Sequence, residues 1–133
     1  MHPNEALFAN EAFYLAFAQK DLEAMSRLWS RQAQILCVHP GWRPLVGHEQ
    51  VMGSWARILG NPNQPPVVSF GAEAVVVDTS VVCVYCYERV GGNVMIATNL
   101  FVSEERFPRL ISHQSGPCAD APEPPPGPTG PDA

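Results

Sequence analysis

The stretch VVCVYCYERVGGNVMIATNLF, residues 81–101, decides the architecture. Two runs rich in β-branched and aromatic residues, 81–90 and 94–104, flank Gly91-Gly92-Asn93. Glycine and asparagine admit positive φ, so the segment reads as a hairpin of two long strands. Similar runs at 67–78 and 109–115 extend it, separated by Asp78-Thr79-Ser80 and by a break at Phe107-Pro108. Strands joined by such short links pair antiparallel.

Upstream the periodicity changes. Leu7, Phe8, Glu11, Ala12, Leu15 and Ala18 recur at helical spacing, predicting a helix over 4–20 that starts at Pro3-Asn4. Phe13, Tyr14 and Phe17 widen its apolar surface, so it is buried on more than one side. Asp21 caps a second helix, 22–29. Residues 34–39 (QILCVH) form a short strand stopped by Pro40-Gly41, and GWRPLVG follows as a loop. Val51, Met52, Trp55, Ile58 and Leu59 predict a third helix over 48–59, ended by Gly60. The expected fold is α+β, with three N-terminal helices on one side of a curved antiparallel sheet.

The remainder of the chain is different. Seven of the 14 prolines fall in residues 117–133, which hold no aromatic residue, Lys or Arg. Without the acids Asp120, Glu123 and Asp132 the formal charge goes from −5 to −2. The division is one domain, 1–116, and a proline-rich acidic tail, 117–133, flexible or extended in character.

Both alternating faces of residues 81–87 are apolar, and so are both faces of 94–101. A sheet covered on one side alternates apolar and polar residues. Either a second copy of the chain covers the outer face, making a homodimer, or the sheet curls tightly enough to bury both faces itself.

Scattered basic residues exclude a phosphate-tracking patch, so no nucleic acid is expected. No apolar run is long enough to span a membrane. The N-terminal segment lacks a basic n-region, which predicts a cytoplasmic protein with reduced thiols. Cys83 and Cys86 have C-x-x-C spacing, but strand alternation sends them to opposite faces, away from a shared metal or disulfide. Gly91-Gly92 lacks the context of a dinucleotide site, and no motif calls for a cofactor.

His39 ends the first strand and His113 lies in the last, sharing faces with Ile35 and Cys37 and with Ile111 and Ser115. Each is a candidate general base, or a packed histidine with one hydrogen bond. Asn99 interrupts the face of Met95, Ala97 and Phe101, and either orients a ligand or ties strands together. Glu88, on the face of Val82, Val84 and Cys86, is the acid most exposed to a raised pKa. Trp29 and Trp55 come from helices, and Trp42 from a loop where a lid belongs.

These residues carry a resemblance. Cys37-Val38-His39-Pro40-Gly41-Trp42, then Leu45, Gly47 and Ser54-Trp55, then residues 97–101 and 109–117, resemble the nuclear transport factor 2-like superfamily. The similarity is to its SnoaL-like branch, related to the association domain of calcium/calmodulin-dependent protein kinase II. It implies a cone, a bent sheet around the first helix with a pocket between sheet and helices, and a dimer through the outer sheet face. Where that branch often has a tryptophan-arginine pair and a run of histidines, this chain has Pro108-Arg109 and only His113.

On that reading the pocket wall comprises Tyr14, Trp29, Cys37, Trp42, Trp55, Tyr85, Asn99 and Phe101. The ligand is a small apolar or carbonyl-containing molecule. In isomerase, cyclase or dehydratase-like chemistry His39 or His113 moves a proton, Asn99 and Tyr85 polarise a carbonyl, and Trp42 gates the mouth. The competing reading is a non-catalytic association module whose pocket is filled by its own side chains.

Overall fold

The computed structural model describes residues 1–126; the end of the expected tail, 127–133, lies outside the described residues. Three helices precede most of a six-stranded sheet: α1 Pro3–Ala18, α2 Leu22–Arg27, β1 Leu36–Val38, β2 Leu45–Val46, α3 His48–Gly60, β3 Val67–Val76, β4 Val81–Val90, β5 Asn93–Glu104 and β6 Phe107–Pro117. The strand order is β2-β1-β6-β5-β4-β3. All neighbours are antiparallel except β1 and β6, which run parallel.

The helix caps are local chemistry. His2 caps α1: its Nδ1 accepts the Asn4 N–H at 3.0 Å, and the Glu5 carboxylate accepts the His2 N–H at 2.7 Å. This is a capping box with an imidazole in the hydroxyl's place. Asp21 caps α2 as expected, accepting the Ala24 N–H at 3.0 Å. The helix then stops at Arg27, because Trp29 leaves it to bridge Leu110 of β6.

On α1 the period is helical but its phase differs from the expected stripe. Ala6, Ala9, Asn10, Phe13, Tyr14 and Ala16 are buried, while Phe8 and Leu15 are exposed. Alanines at 6, 9 and 16 let the helix lie close to the sheet, and larger apolar residues there would hold it off. With apolar residues on both flanks, periodicity alone could not choose the phase.

Two sequence breaks are also relocated. Glu105 and Arg106, with φ of 52° and 71°, make the β5–β6 turn, so β6 starts at Phe107 and runs through Pro108. Both positions of such a turn ask for positive φ, normally met by Gly or Asn, so two charged residues conceal it. Pro108 is tolerated because β1 pairs only with residues 112–114 of β6. The expected loop after His39 contains the short strand β2, which pairs Leu36 with Val46.

The sheet is curved and unclosed, and bulges help bend it. In β3 the register shifts between Phe70 and Glu73, where Gly71 has φ +67°. In β6, Leu100 pairs with Ser112 and Phe101 with Leu110, leaving Ile111 as the extra residue. Leu110 and His113, an odd three positions apart, are therefore both buried. Ile111, expected on the face of His113, is the one displaced.

The core lies between the helices and the inner sheet face. Phe13, Met25, Trp29, Trp55, Val84 and Phe101 are fully buried, each stabilising by about 1.5–3 kcal/mol. Outside, Cys83, Tyr85, Ile96 and Leu100 are half-buried. No helix among the described residues is long and apolar enough to cross a membrane.

Candidate functional site

A cavity of about 250 Å³ opens between α1, α3 and the inner sheet face. Its deep polar groups are His39, Glu88 and His113, each no more than 4 % exposed. Phe17, Ile58, Val67, Val90 and Met95 supply apolar walls, with Pro40, Trp42 and Gln64 from loops. Trp42 is 39 % exposed and stands at the rim, its ring 4.9 Å from that of His39, with the Arg57 guanidinium 5.3 Å over it.

Behind His113 runs a hydrogen-bond relay from helix to sheet. Asn99 Nδ2 donates to Asn10 Oδ1 at 2.7 Å and, at 3.4 Å, towards the Tyr14 hydroxyl. This fixes the Asn99 carbonyl oxygen towards His113 Nδ1, 2.5 Å away. An amide oxygen only accepts, so Nδ1 carries the proton and Nε2 holds a lone pair. Nε2 has no partner among the described residues and is not among the sealed, unpartnered atoms. Since His113 lines the cavity, that lone pair is offered to it.

His39 is fixed in the opposite sense. The Ser54 hydroxyl donates to the Val51 carbonyl at 2.7 Å, so its oxygen accepts from His39 Nε2 at 2.9 Å. The lone pair is then on Nδ1, which has the Cys37 sulfur as a polar neighbour at 4.0 Å. The two imidazole centres are 6.2 Å apart. Burial lowers both to about 4, and His39 also feels His113 and Arg57. Both rings are therefore neutral at physiological pH.

Glu88 receives two hydroxyl protons, from Tyr14 at 2.5 Å and from Ser115 at 2.6 Å. Burial raises its pKa, while those two bonds lower it. Burial also raises Tyr14 well above its ordinary value, helped by Glu88, and lifts Cys37 to about 12. No cation pairs with Glu88: the one salt bridge among the described residues is Arg27–Glu23, on the surface. No group of three or more His, Cys, Asp or Glu among the described residues could hold a metal ion.

Of the sequence candidates, His39, His113 and Trp42 line the cavity, and Glu88 joins them. Tyr14, Cys37, Asn99, Trp55 and Phe101 are buried behind its surface, the first three through the bonds just described. Trp29 is core, packed under β6 through its bridge to Leu110. Tyr85 is a correction: it pairs with Thr98 while Val84 pairs with Asn99, so alternation puts it on the opposite face from the cavity. It cannot polarise a ligand carbonyl with Asn99. Cys83 and Cys86 do fall on opposite faces, and all four cysteines are free.

Sequence reading missed Asn10, Ser54 and Ser115 as partners, and Ile58, Val90 and Met95 as walls. Glu88 and Val90 share one face of β4, a period-two signal that was available. Asn10, an amide among buried alanines and aromatics, was the other one.

Residues 7–119 match the family model of the SnoaL-like domain. A candidate dehydratase of the nuclear transport factor 2-like family from Streptomyces avermitilis is 28% identical, with TM-score 0.78, covering 87% of this chain and 95% of its own. A candidate calcium/calmodulin-dependent protein kinase type II association domain from Thiobacillus denitrificans is 26% identical, with TM-score 0.66, covering 83% and 92%. An uncharacterised protein with a cystatin-like fold from Caulobacter vibrioides has TM-score 0.76 at 12% identity, covering 88% and 89%, a likeness of fold alone. Comparison with curated proteins gives no match.

Proposed function

The chain belongs to the SnoaL-like domain family, and from that premise we propose that it binds a small, largely apolar molecule in the cavity and moves a proton on it. The observation that carries this is the His113 ring. Its Nδ1 is held by Asn99, and its Nε2 lone pair is left for the cavity. A neutral imidazole fixed in one tautomer can accept a proton, and one that burial holds at about 4 is a weak base that gives the proton back readily. The second lone pair, on His39 Nδ1, gives the proton another place to go. The reaction class is isomerisation, cyclisation or dehydration, and the name of the Streptomyces relative points the same way.

Fragment screening by protein NMR tests the reading. Apolar fragments with one polar group should shift signals of Phe17, Trp42, Ile58 and Met95. Trp42→Ala should weaken them about tenfold, as loss of one aromatic wall does. Shifts scattered over the surface, with none at those residues, refute the binding site.

The outer sheet face supports a homodimer as a second element of the proposal. Cys83, Tyr85, Ile96 and Leu100 make a continuous apolar surface on the side away from the cavity. A second copy placed there leaves the cavity mouths open. Light scattering at micromolar concentration should give twice the chain mass, and Leu100→Glu should give a monomer. A wild-type monomer ends this part of the proposal and leaves the pocket reading standing.

A further inference from the structure

At the deep end of the cavity the hydroxyl and amide donors are engaged by the protein, and acceptors are left for a ligand. The Tyr14 and Ser115 hydroxyls donate to Glu88, and the Ser54 hydroxyl donates to Val51. The Asn99 amide donates to Asn10. Trp55 Nε1, beside both histidines, is sealed in the protein without a partner. The deep end therefore offers two imidazole lone pairs and the remaining lone pairs of the Glu88 carboxylate. Arg57 lies on the Trp42 ring at the rim and is exposed, so it does not reach the deep end as a donor.

A buried carboxylate without a counter-charge is costly, and both hydroxyls aimed at Glu88 suit its ionised form. A ligand cation supplies what the protein omits. The Phe17 and Trp42 rings also border the cavity, and Trp42 already carries the Arg57 guanidinium over its ring, as an aromatic face favours a cation. An anion or a bare carbonyl seated at the deep end meets lone pairs.

We propose that the cavity selects a small apolar molecule with an ammonium head, seated on Glu88 and flanked by the free nitrogens of His113 and His39. This rests on the reading of the cavity as a ligand site, and it replaces the expected carbonyl-containing ligand with an amine. At roughly the 30 Å³ that a water takes in the liquid, a cavity of about 250 Å³ admits about eight non-hydrogen atoms, the size of benzylamine.

The test is a head-group series on one ring, read by calorimetry and NMR on the full chain at neutral pH: benzylamine, benzyl alcohol, benzaldehyde and benzoate. Benzylamine should bind best, benzyl alcohol next, and benzoate last. Glu88→Gln should weaken benzylamine by about tenfold or more, as removal of a buried charge partner does, and leave benzyl alcohol within about threefold. If benzoate or benzaldehyde matches benzylamine, the amine selectivity is overturned and the pocket stands. If no member shifts cavity signals, the pocket reading and the selectivity fall together. The wild-type series decides the question even if Glu88→Gln does not fold.

Discussion

Replacing Asn99 by leucine tests the relay on which the site depends. Leucine nearly matches asparagine in shape but neither donates nor accepts. Two buried groups then lose partners: Asn10 Oδ1 loses the 2.7 Å donor, and His113 Nδ1–H loses its 2.5 Å acceptor. Each orphaned buried group costs about 1–3 kcal/mol, so Asn99→Leu should destabilise by about 2–6 kcal/mol. That is a large share of the 5–15 kcal/mol or so that holds a typical domain together. At about 3–5 °C per kcal/mol for this size, the melting temperature should fall by at least about 6 °C. Denaturant titration gives the free energy. Long-range nitrogen–proton NMR of the imidazoles gives the tautomer: His113 should carry its proton on Nδ1 in the wild type and lose that preference in the variant. A variant that melts within about 2 °C of wild type, with the His113 tautomer unchanged, would refute the relay.

Three further outcomes follow from the same geometry. His39 and His113 are lowered from 6.5 to about 4, so between those values the unfolded chain takes up protons that the folded chain refuses. Their stabilisation is complete above pH 6.5 and is lost as pH falls towards about 4, by about 3 kcal/mol per histidine at most. Glu88, raised above 4.5, acts in the opposite direction and offsets part of the loss. Denaturation across that range should show stability rising with pH, and a flat profile contradicts the neutral pair. Gly71→Ala should cost about 1–2 kcal/mol from its positive φ, with an added methyl 3.1 Å from the Tyr87 ring making matters worse; thermal melting checks it. His39→Gln should weaken ligand binding less than His113→Gln, because Cys37 also approaches the His39 ring; the same calorimetry compares them.

Much of this was legible in the residues. The β4–β5 hairpin needed only alternation and the Gly91-Gly92 turn, and β4 runs Val81–Val90 as read. His39, His113 and Glu88 were legible as polar residues on apolar faces. The turn at Glu105-Arg106 was hidden because charged residues adopt positive φ there under tertiary constraint. The partners of His113 were hidden for a different reason. Asn10 and Asn99 are 89 positions apart, and only the packing of α1 across the inner face of the sheet brings them together. Tyr85 was misplaced where the simple two-residue period should have been followed.

The bulge at Ile111 gives the site an unusual kind of slack. It shifts the frame of β6 by one, so that Leu110 before it and His113 after it are both inside. Deleting Ile111 alone removes no residue that lines the cavity. With Ile111 gone, Leu110 stays opposite Phe101 and Ser112 opposite Leu100, so plain alternation keeps Ser112 out and His113 in. One position of β6 is thus spare, and its loss takes neither the base nor the relay behind it from the cavity. Descendants of one ancestral chain could therefore differ in the length of that strand with the whole face of the pocket inherited intact.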